Sequence, residues 1–173
     1  MKYCVKICLI GDQAVGKTAL CDRFINRSFK NEYKRTLGVE TYKKTIDLDE
    51  YTVEVNLWDF SGQTIFSRIR PAFYHEAMGS LVVFDIACLN SFINIPNWLK
   101  EADENTKDME MILISNKMDL EDQRVVSEES SRSFTKSQAI ELFPTSAKTG
   151  EGVDEAFFHL ISRIIKKGKA YEA

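Results

Sequence analysis

The sequence predicts an α/β fold built on a mostly parallel sheet with helices on both faces. Two observations carry that expectation. Short runs such as SLVVFDIA (80–87) and MEMILIS (109–115) are nearly all apolar, as strands covered on both faces must be. These runs alternate with segments of helical period, and such alternation implies parallel strands joined by crossover helices. Ligands of open sheets of this kind sit at the carboxyl ends of the strands, so those ends are where chemistry is expected.

The elements follow in order. YCVKICLI (3–10) reads as the first strand, followed by a Gly-rich loop and a helix through Phe24. Two strands around 39–48 and 51–59 are separated by a polar LDE step, which suggests a hairpin. The two buried runs come next, and a short strand near Ile140 to Phe143 completes the set. Ser127 before Glu128 and Glu129 reads as a helix start, with a capping hydroxyl and acids at the positive end of the dipole. The last helix is the most periodic: Val153, Ala156, Phe157, Leu160, Ile161, Ile164 and Ile165 repeat at i, i+3, i+4, i+7, with Asp154, Glu155 and Arg163 opposite.

With 173 residues, 44% hydrophobic and 28% charged, the chain has the composition of one soluble domain spanning 1–173. A net charge of −3 supplies no global positive field, so nucleic acid is not an expected partner. No run is long enough to span a bilayer, and no signal-peptide pattern opens the chain. Cys4, Cys8, Cys21 and Cys88 form no C-x-x-C pair and lie among apolar residues; they read as four buried thiols in a reducing cytosol. No cysteine stands near the C-terminus, so a lipid anchor and membrane association are not expected of this chain.

GDQAVGKT (11–18) holds the G-x-x-x-x-G-K-[ST] pattern between a strand and a helix. Backbone N–H groups surround a polyphosphate only if the chain curls tightly, and glycines permit the curl. The candidate phosphate-binding residues are Gly11, Asp12, Gln13, Ala14, Val15, Gly16, Lys17, Thr18 and Ala19. Lys17 brings charge to the β and γ phosphates, Thr18 offers a hydroxyl to Mg²⁺, and the helix aims its positive end at the ligand.

NKMD (116–119) follows a buried strand. The Asp119 carboxylate can accept from guanine N1–H and the 2-amino group; adenine lacks that amino group and would leave a buried carboxylate unpaired. Asn116 can bridge loops, and the Lys117 stem can lie over the base. Ser146, Ala147 and Lys148 follow the last short strand and can offer a backbone N–H to guanine O6. In WDFSGQ (58–63), Asp59 can hold Mg²⁺ through water, Gly62 can donate to a γ-phosphate and Gln63 can orient an attacking water. Thr36 can complete the Mg²⁺ shell only when a γ-phosphate is present, making residues 30–40 a loop ordered by GTP.

These motifs, in this order, resemble the Ras superfamily of small GTPases from Lys2 to about Lys167, and the Rab branch most of all. TLGVE (36–40), WDFSGQ, FYHEAMGSLVVFDI (73–86) and the NSF…NW stretch (90–98) are similar to Rab segments. The resemblance implies a P-loop NTPase fold, the small-GTPase G domain, with a six-stranded sheet including one antiparallel strand, and five helices. It implies GTP or GDP and Mg²⁺ as ligands, with Gln63, Lys17 and Thr36 in the catalytic roles. It also implies exchange factors, activating proteins and effectors as partners of a monomeric switch. By position, Phe29 matches an aromatic that packs on the guanine and Tyr33 a tyrosine that closes over the phosphates. The chain departs from the family at Arg35, Thr41, Phe60, Ser61 and Thr64.

Three functions stay open on the residues: a GTP-hydrolysing switch, a nucleotide-dependent binding module that barely hydrolyses, and an ATP-using P-loop enzyme. Gln13 stands where the family usually has Gly or Ser. Either it crowds the space where Gln63 and an activator's arginine must meet, or it points into solvent and changes little.

Overall fold

The computed structural model describes residues 1–30, 34–48 and 51–172. Strand β1 (Lys2–Ile10) leads into helix α1 (Lys17–Asn26). Strands β2 (Val39–Leu48) and β3 (Tyr51–Phe60) pair antiparallel in full register, from Val39 opposite Phe60 to Leu48 opposite Tyr51. Then come β4 (Gly79–Asp85), α2 (Leu89–Ile93), α3 (Ile95–Asn105), β5 (Glu110–Asn116), α4 (Glu128–Gln138), β6 (Glu141–Pro144) and α5 (Val153–Lys166).

The sheet order is β2-β3-β1-β4-β5-β6. Every neighbouring pair except β2–β3 is parallel along that path. The chain crosses from one side of β1 to the other, and that reversal opens a crevice beyond the end of β1. The six expected strands are present, and the structure adds a seventh. Strand β7 (Tyr171–Glu172) pairs antiparallel with β1, Cys4 opposite Tyr171 and Tyr3 opposite Glu172. Two residues carry no periodicity, so only the tertiary pairing reveals them.

The apolar runs alternate between two cores. Val5, Ile7 and Leu9 of β1, with Leu81 and Val83 of β4, pack under α1 and α5 against Phe24, Phe157, Leu160 and Ile161. Their neighbours Cys8, Ile10, Val82 and Phe84 face Ile95, Trp98, Leu99 and Ala102 of α3. A strand that feeds both cores has no polar face, which is why these runs read as continuously apolar. Phe60, a departure from the family pattern, is fully buried and packs edge-on to Tyr74 at 4.9 Å.

Helix α4 starts where its cap residue places it: Ser127 accepts from the Ser130 N–H at 3.1 Å. The cysteines divide against expectation. Cys8 and Cys21 are buried, Cys4 is partly buried and Cys88 is exposed. Cys88 caps α2 at the end of β4, where the chain has already left the core. Among the described residues, no helix is long and apolar enough to cross a membrane.

Candidate nucleotide-binding site

The loop after β1 has the strained backbone that its sequence requires. Gly11 has φ +139, and a Cβ there would lie 2.2 Å from the Val83 carbonyl oxygen. Gly16 has φ +102, and a Cβ would lie 2.3 Å from Asn116 Nδ2. Ala14 and Lys117 take left-handed φ of 64 and 69 without being glycine. Such conformations cost about 1–3 kcal/mol and persist where the surrounding structure over-determines them.

A cavity of about 400 Å³ opens at this end of the sheet. Its walls bring together Gln13, Ala14, Gly16, Lys17, Thr18, Ala19, Phe29, Thr36, Gly62, Gln63 and Lys117 from the sequence-derived set. Lys30 and Lys34 add two ammonium groups that the sequence reading did not single out. Tyr33 lies outside the described residues. Gly11, Asp12, Val15, Asp59, Asn116, Asp119, Ser146, Ala147 and Lys148 do not line this cavity; most of them brace its loops from behind.

Lys17 is buried, and its ammonium donates to the carbonyls of Gly11 at 2.7 Å and Asp12 at 2.6 Å. Burial lowers its pKa to about 8, against the opposing pull of Asp59 and Asp12. Asp59, next to last in β3, is fully buried, and burial raises its carboxyl to about 6, against Lys17 and two hydroxyl donors. Those donors are Thr18, in a very short bond, and Thr36 at 3.3 Å; the two threonine hydroxyls are 2.8 Å apart. Asp59 Oδ1 is a buried acceptor with no hydrogen-bond partner, one of three such side-chain atoms among the described residues. Three hard oxygens converging beside an orphaned carboxylate oxygen suit a hydrated divalent cation, so these residues fit Mg²⁺.

The base side is braced from behind. Asn116 Nδ2 donates to the Val15 carbonyl at 2.9 Å, and its Oδ1 accepts from Thr145 Oγ1 and the Ala147 N–H. Ser146 Oγ donates to Asp119 Oδ1 at 2.6 Å, which orients the carboxylate beside the SAK loop. The Arg23 guanidinium donates to the Ala147 carbonyl at 2.8 Å, which ties this loop to α1. Lys117 Nζ pairs with Asp85 Oδ2 at 2.7 Å. Asp85 was missed, although it shows the same signal as Asp59: a carboxylate ending a buried strand.

Gly62 rests on the phosphate loop, where a Cβ would lie 2.3 Å from Gln13 N and 2.4 Å from the Asp12 carbonyl carbon. Gln63 Nε2 donates to the Thr36 carbonyl at 3.3 Å, so the loops that carry Thr36 and Gln63 touch directly. The Asp12 carboxylate accepts from Asn94 Nδ2 at 2.7 Å and Trp98 Nε1 at 2.8 Å. Both lie in the Rab-like stretch 90–98, whose sequence carries no sign of this contact.

The glycine-rich loop, a buried carboxylate with two threonine hydroxyls, and the NKMD–SAK brace now stand at one end of the strands. The sequence model of the Ras family matches residues 6–166. The chain belongs to the Ras family. It is 40% identical over 163 residues to the Ras-related protein Rab-13 of Canis lupus familiaris, covering 94% of this chain and 80% of that protein. It is 39% identical over 166 residues to the Ras-related protein Rab-8B of Homo sapiens, covering 95% and 80%. For the Ras-related protein Rab-10 of Diplobatis ommata the identity is 37% over 163 residues, covering 94% and 82%. This Ras-family chain is therefore Rab-like, as the TLGVE and NSF…NW segments imply.

Proposed function

We propose that this chain, acting as one monomeric G domain, is a guanine-nucleotide switch that binds Mg²⁺ with GTP or GDP and hydrolyses GTP to GDP and phosphate. The observation that carries the reading is the meeting of the Thr18 and Thr36 hydroxyls on the buried Asp59 carboxylate, behind a cavity that Thr18, Thr36, Lys17 and Gln63 line. Phosphoryl transfer asks mainly for positioning and charge stabilisation, and this cavity offers both.

In that reading the glycine-rich loop and Lys17 hold the phosphates. Lys17 exchanges its two loop carbonyls for phosphate oxygens. Thr18, Thr36 and Asp59 hold the hydrated Mg²⁺, which when bound offsets charge on the phosphate oxygens. Gln63 orients the attacking water with its amide, and Thr36 joins only when a γ-phosphate is present. Asp119, steadied by Ser146, selects guanine, and Phe29 lies against the base.

Likeness to Rab proteins favours membrane traffic or signalling as the setting, with exchange factors, activators and effectors as partners. Such work takes place at cytoplasmic membrane surfaces, so the sequence expectation of no membrane association is not carried forward.

Single-turnover GTP hydrolysis by wild type and Gln63→Leu tests the assignment. The expected result is a wild-type rate on the order of 10⁻⁴ per second and a much slower variant. Equal rates would remove Gln63 from its role. Competition by ATP against bound GDP tests base choice: displacement as effective as that by GTP would overturn the Asp119 assignment.

A binding module with negligible hydrolysis is the second reading, and one contact favours it. The Gln63 amide donates to the Thr36 carbonyl at 3.3 Å, so its N–H group already has a protein partner. A wild-type rate equal to that of Gln63→Leu, with GTP still bound, selects this reading.

A further inference from the structure

Arg70 opens the helical turn before β4 and is buried, which is unusual for an arginine. Its Nε and Nη2 form a fork on Glu101, at 2.8 and 2.7 Å. The guanidinium also lies over the Trp98 ring, 4.6 Å from its centroid. The remaining nitrogen, Nη1, donates to the carbonyls of Ser61 at 3.3 Å and Gln63 at 3.0 Å. These carbonyls flank Gly62, the residue pressed against the phosphate loop.

The same Trp98 donates its indole N–H to the carboxylate of Asp12, inside the phosphate loop. A continuous path results: Asp12 carboxylate, Trp98 ring, Arg70 guanidinium, and the backbone that carries Gln63. An indole whose N–H faces a carboxylate is polarised toward a more electron-rich ring, which favours the cation above it. Glu101 alone would compensate the charge of Arg70. The contacts to Trp98 and to two loop carbonyls go beyond charge balance, and they fix the peptide from which the Gln63 amide projects.

We propose that Arg70 is a positioning residue for GTP hydrolysis, set in place by Asp12 of the phosphate loop through Trp98. Through this joint, the phosphate loop and the Gln63 loop share one rigid support on α3. The proposal rests on the hydrolytic reading given above. Lysine cannot replace Arg70, because it has neither the planar stack nor the bidentate fork.

The test is single-turnover GTP hydrolysis alongside GDP and GTP affinity for wild type, Gln63→Leu, Arg70→Lys, Trp98→Phe and the Arg70→Lys/Trp98→Phe double variant. Trp98→Phe keeps a smaller aromatic face under Arg70 and removes the N–H to Asp12. A small misplacement of a catalytic group is costly, so Arg70→Lys is expected to slow hydrolysis about tenfold or more with affinity little changed. Trp98→Phe is expected to slow it less, and to add nothing in the Arg70→Lys background.

Wild-type hydrolysis in Arg70→Lys, while Gln63→Leu is slow, overturns the proposal and leaves the hydrolytic reading standing. Fully additive effects overturn the Trp98 joint. Should Arg70→Lys not fold, Trp98→Phe alone decides: an unchanged rate overturns the proposal. Should wild type and Gln63→Leu be equally inert, the hydrolytic reading falls and Trp98 emission decides instead. In a Trp58→Phe background, the proposal expects the emission to shift between GDP and a non-hydrolysable GTP analogue. The shift should be lost in Arg70→Lys; no shift overturns the relay.

Discussion

Asn116 offers the sharpest quantitative check on how the site is held together. It ends β5 at 1% exposure, and three segments meet on its side chain. The amide donates to the Val15 carbonyl of the phosphate loop at 2.9 Å. Its oxygen accepts from Thr145 Oγ1 at 3.0 Å and the Ala147 N–H at 3.3 Å, both beyond β6. Asn116→Ala removes all three. At about 1 kcal/mol net for each, with an added penalty for partners left buried and unmatched, the loss is about 3–4 kcal/mol. For a urea dependence of about 2 kcal/mol per molar, the unfolding midpoint falls by roughly 1.5–2 M.

Asn116→Asp separates the bridge from the cavity that alanine leaves. Its carboxylate still accepts from Thr145 and Ala147 but sets an oxygen against the Val15 carbonyl, so the phosphate loop parts from the base loop. GDP dissociation from Asn116→Asp is then expected to quicken at least about tenfold, equivalent to about 1.4 kcal/mol. Urea unfolding of the nucleotide-free protein and displacement of a fluorescent GDP supply the two measurements. An alanine midpoint within about 0.3 M of wild type would refute the hydrogen-bond sum. Dissociation from the aspartate variant within about twofold of wild type would show that the Val15 bridge does not hold the nucleotide.

Three further outcomes are expected. Gly62→Ala places a Cβ 2.3 Å from Gln13 N, among backbone atoms that cannot yield, so the loop lifts away. Hydrolysis should drop while GDP affinity holds, and unchanged single-turnover rates would disprove the close approach. Glu110 is buried under Arg163, Lys167 and Lys169; burial pushes its carboxyl up, but the cationic hydrogen bonds prevail and hold it near 2. Because that lies below the unfolded value of 4.5, its stabilisation is complete above about pH 4.5 and drains as pH falls toward 2. Glu110→Gln should therefore flatten the acid limb of a stability–pH curve by about 2 kcal/mol, after discounting for the half-exposed Lys167; an unaltered limb would contradict this. Gln13 is exposed on the rim that Gln63, Thr64, Ile65 and Asn94 share. Under the crowding reading, Gln13→Gly should raise arginine-finger-stimulated hydrolysis, and no gain would discard that reading.

Local patterns were legible because each encodes its own geometry. Gly11 and Gly16 with Lys17 spell a loop that must curl, the i, i+4 stripe of α5 specifies one buried face, and Ser127 marks a helix start. Asp59 and Thr18 stood out as hard oxygens at a strand end and a helix start, and the structure brings them into direct hydrogen-bond contact. Asp85 was equally visible in principle, as a carboxylate closing the run LVVFD, but its partner Lys117 is set only by the pairing of β4 with β5, which puts Asp85 opposite Asn116.

The sequence by itself thus determined the alternation of strands and helices, the phosphate loop, and which residues carry charge and hydroxyls to the strand ends. These follow from chemistry within a few residues. Only the tertiary structure decided that β7 would close on β1, that Cys88 would face solvent, and that Arg70 would be buried over Trp98 with Asp12 on the ring's far edge. Contacts between residues 12, 70 and 98 have no sequence period. They exist because parallel strands bring distant loops together at one end of the sheet, where buried polar groups must find one another.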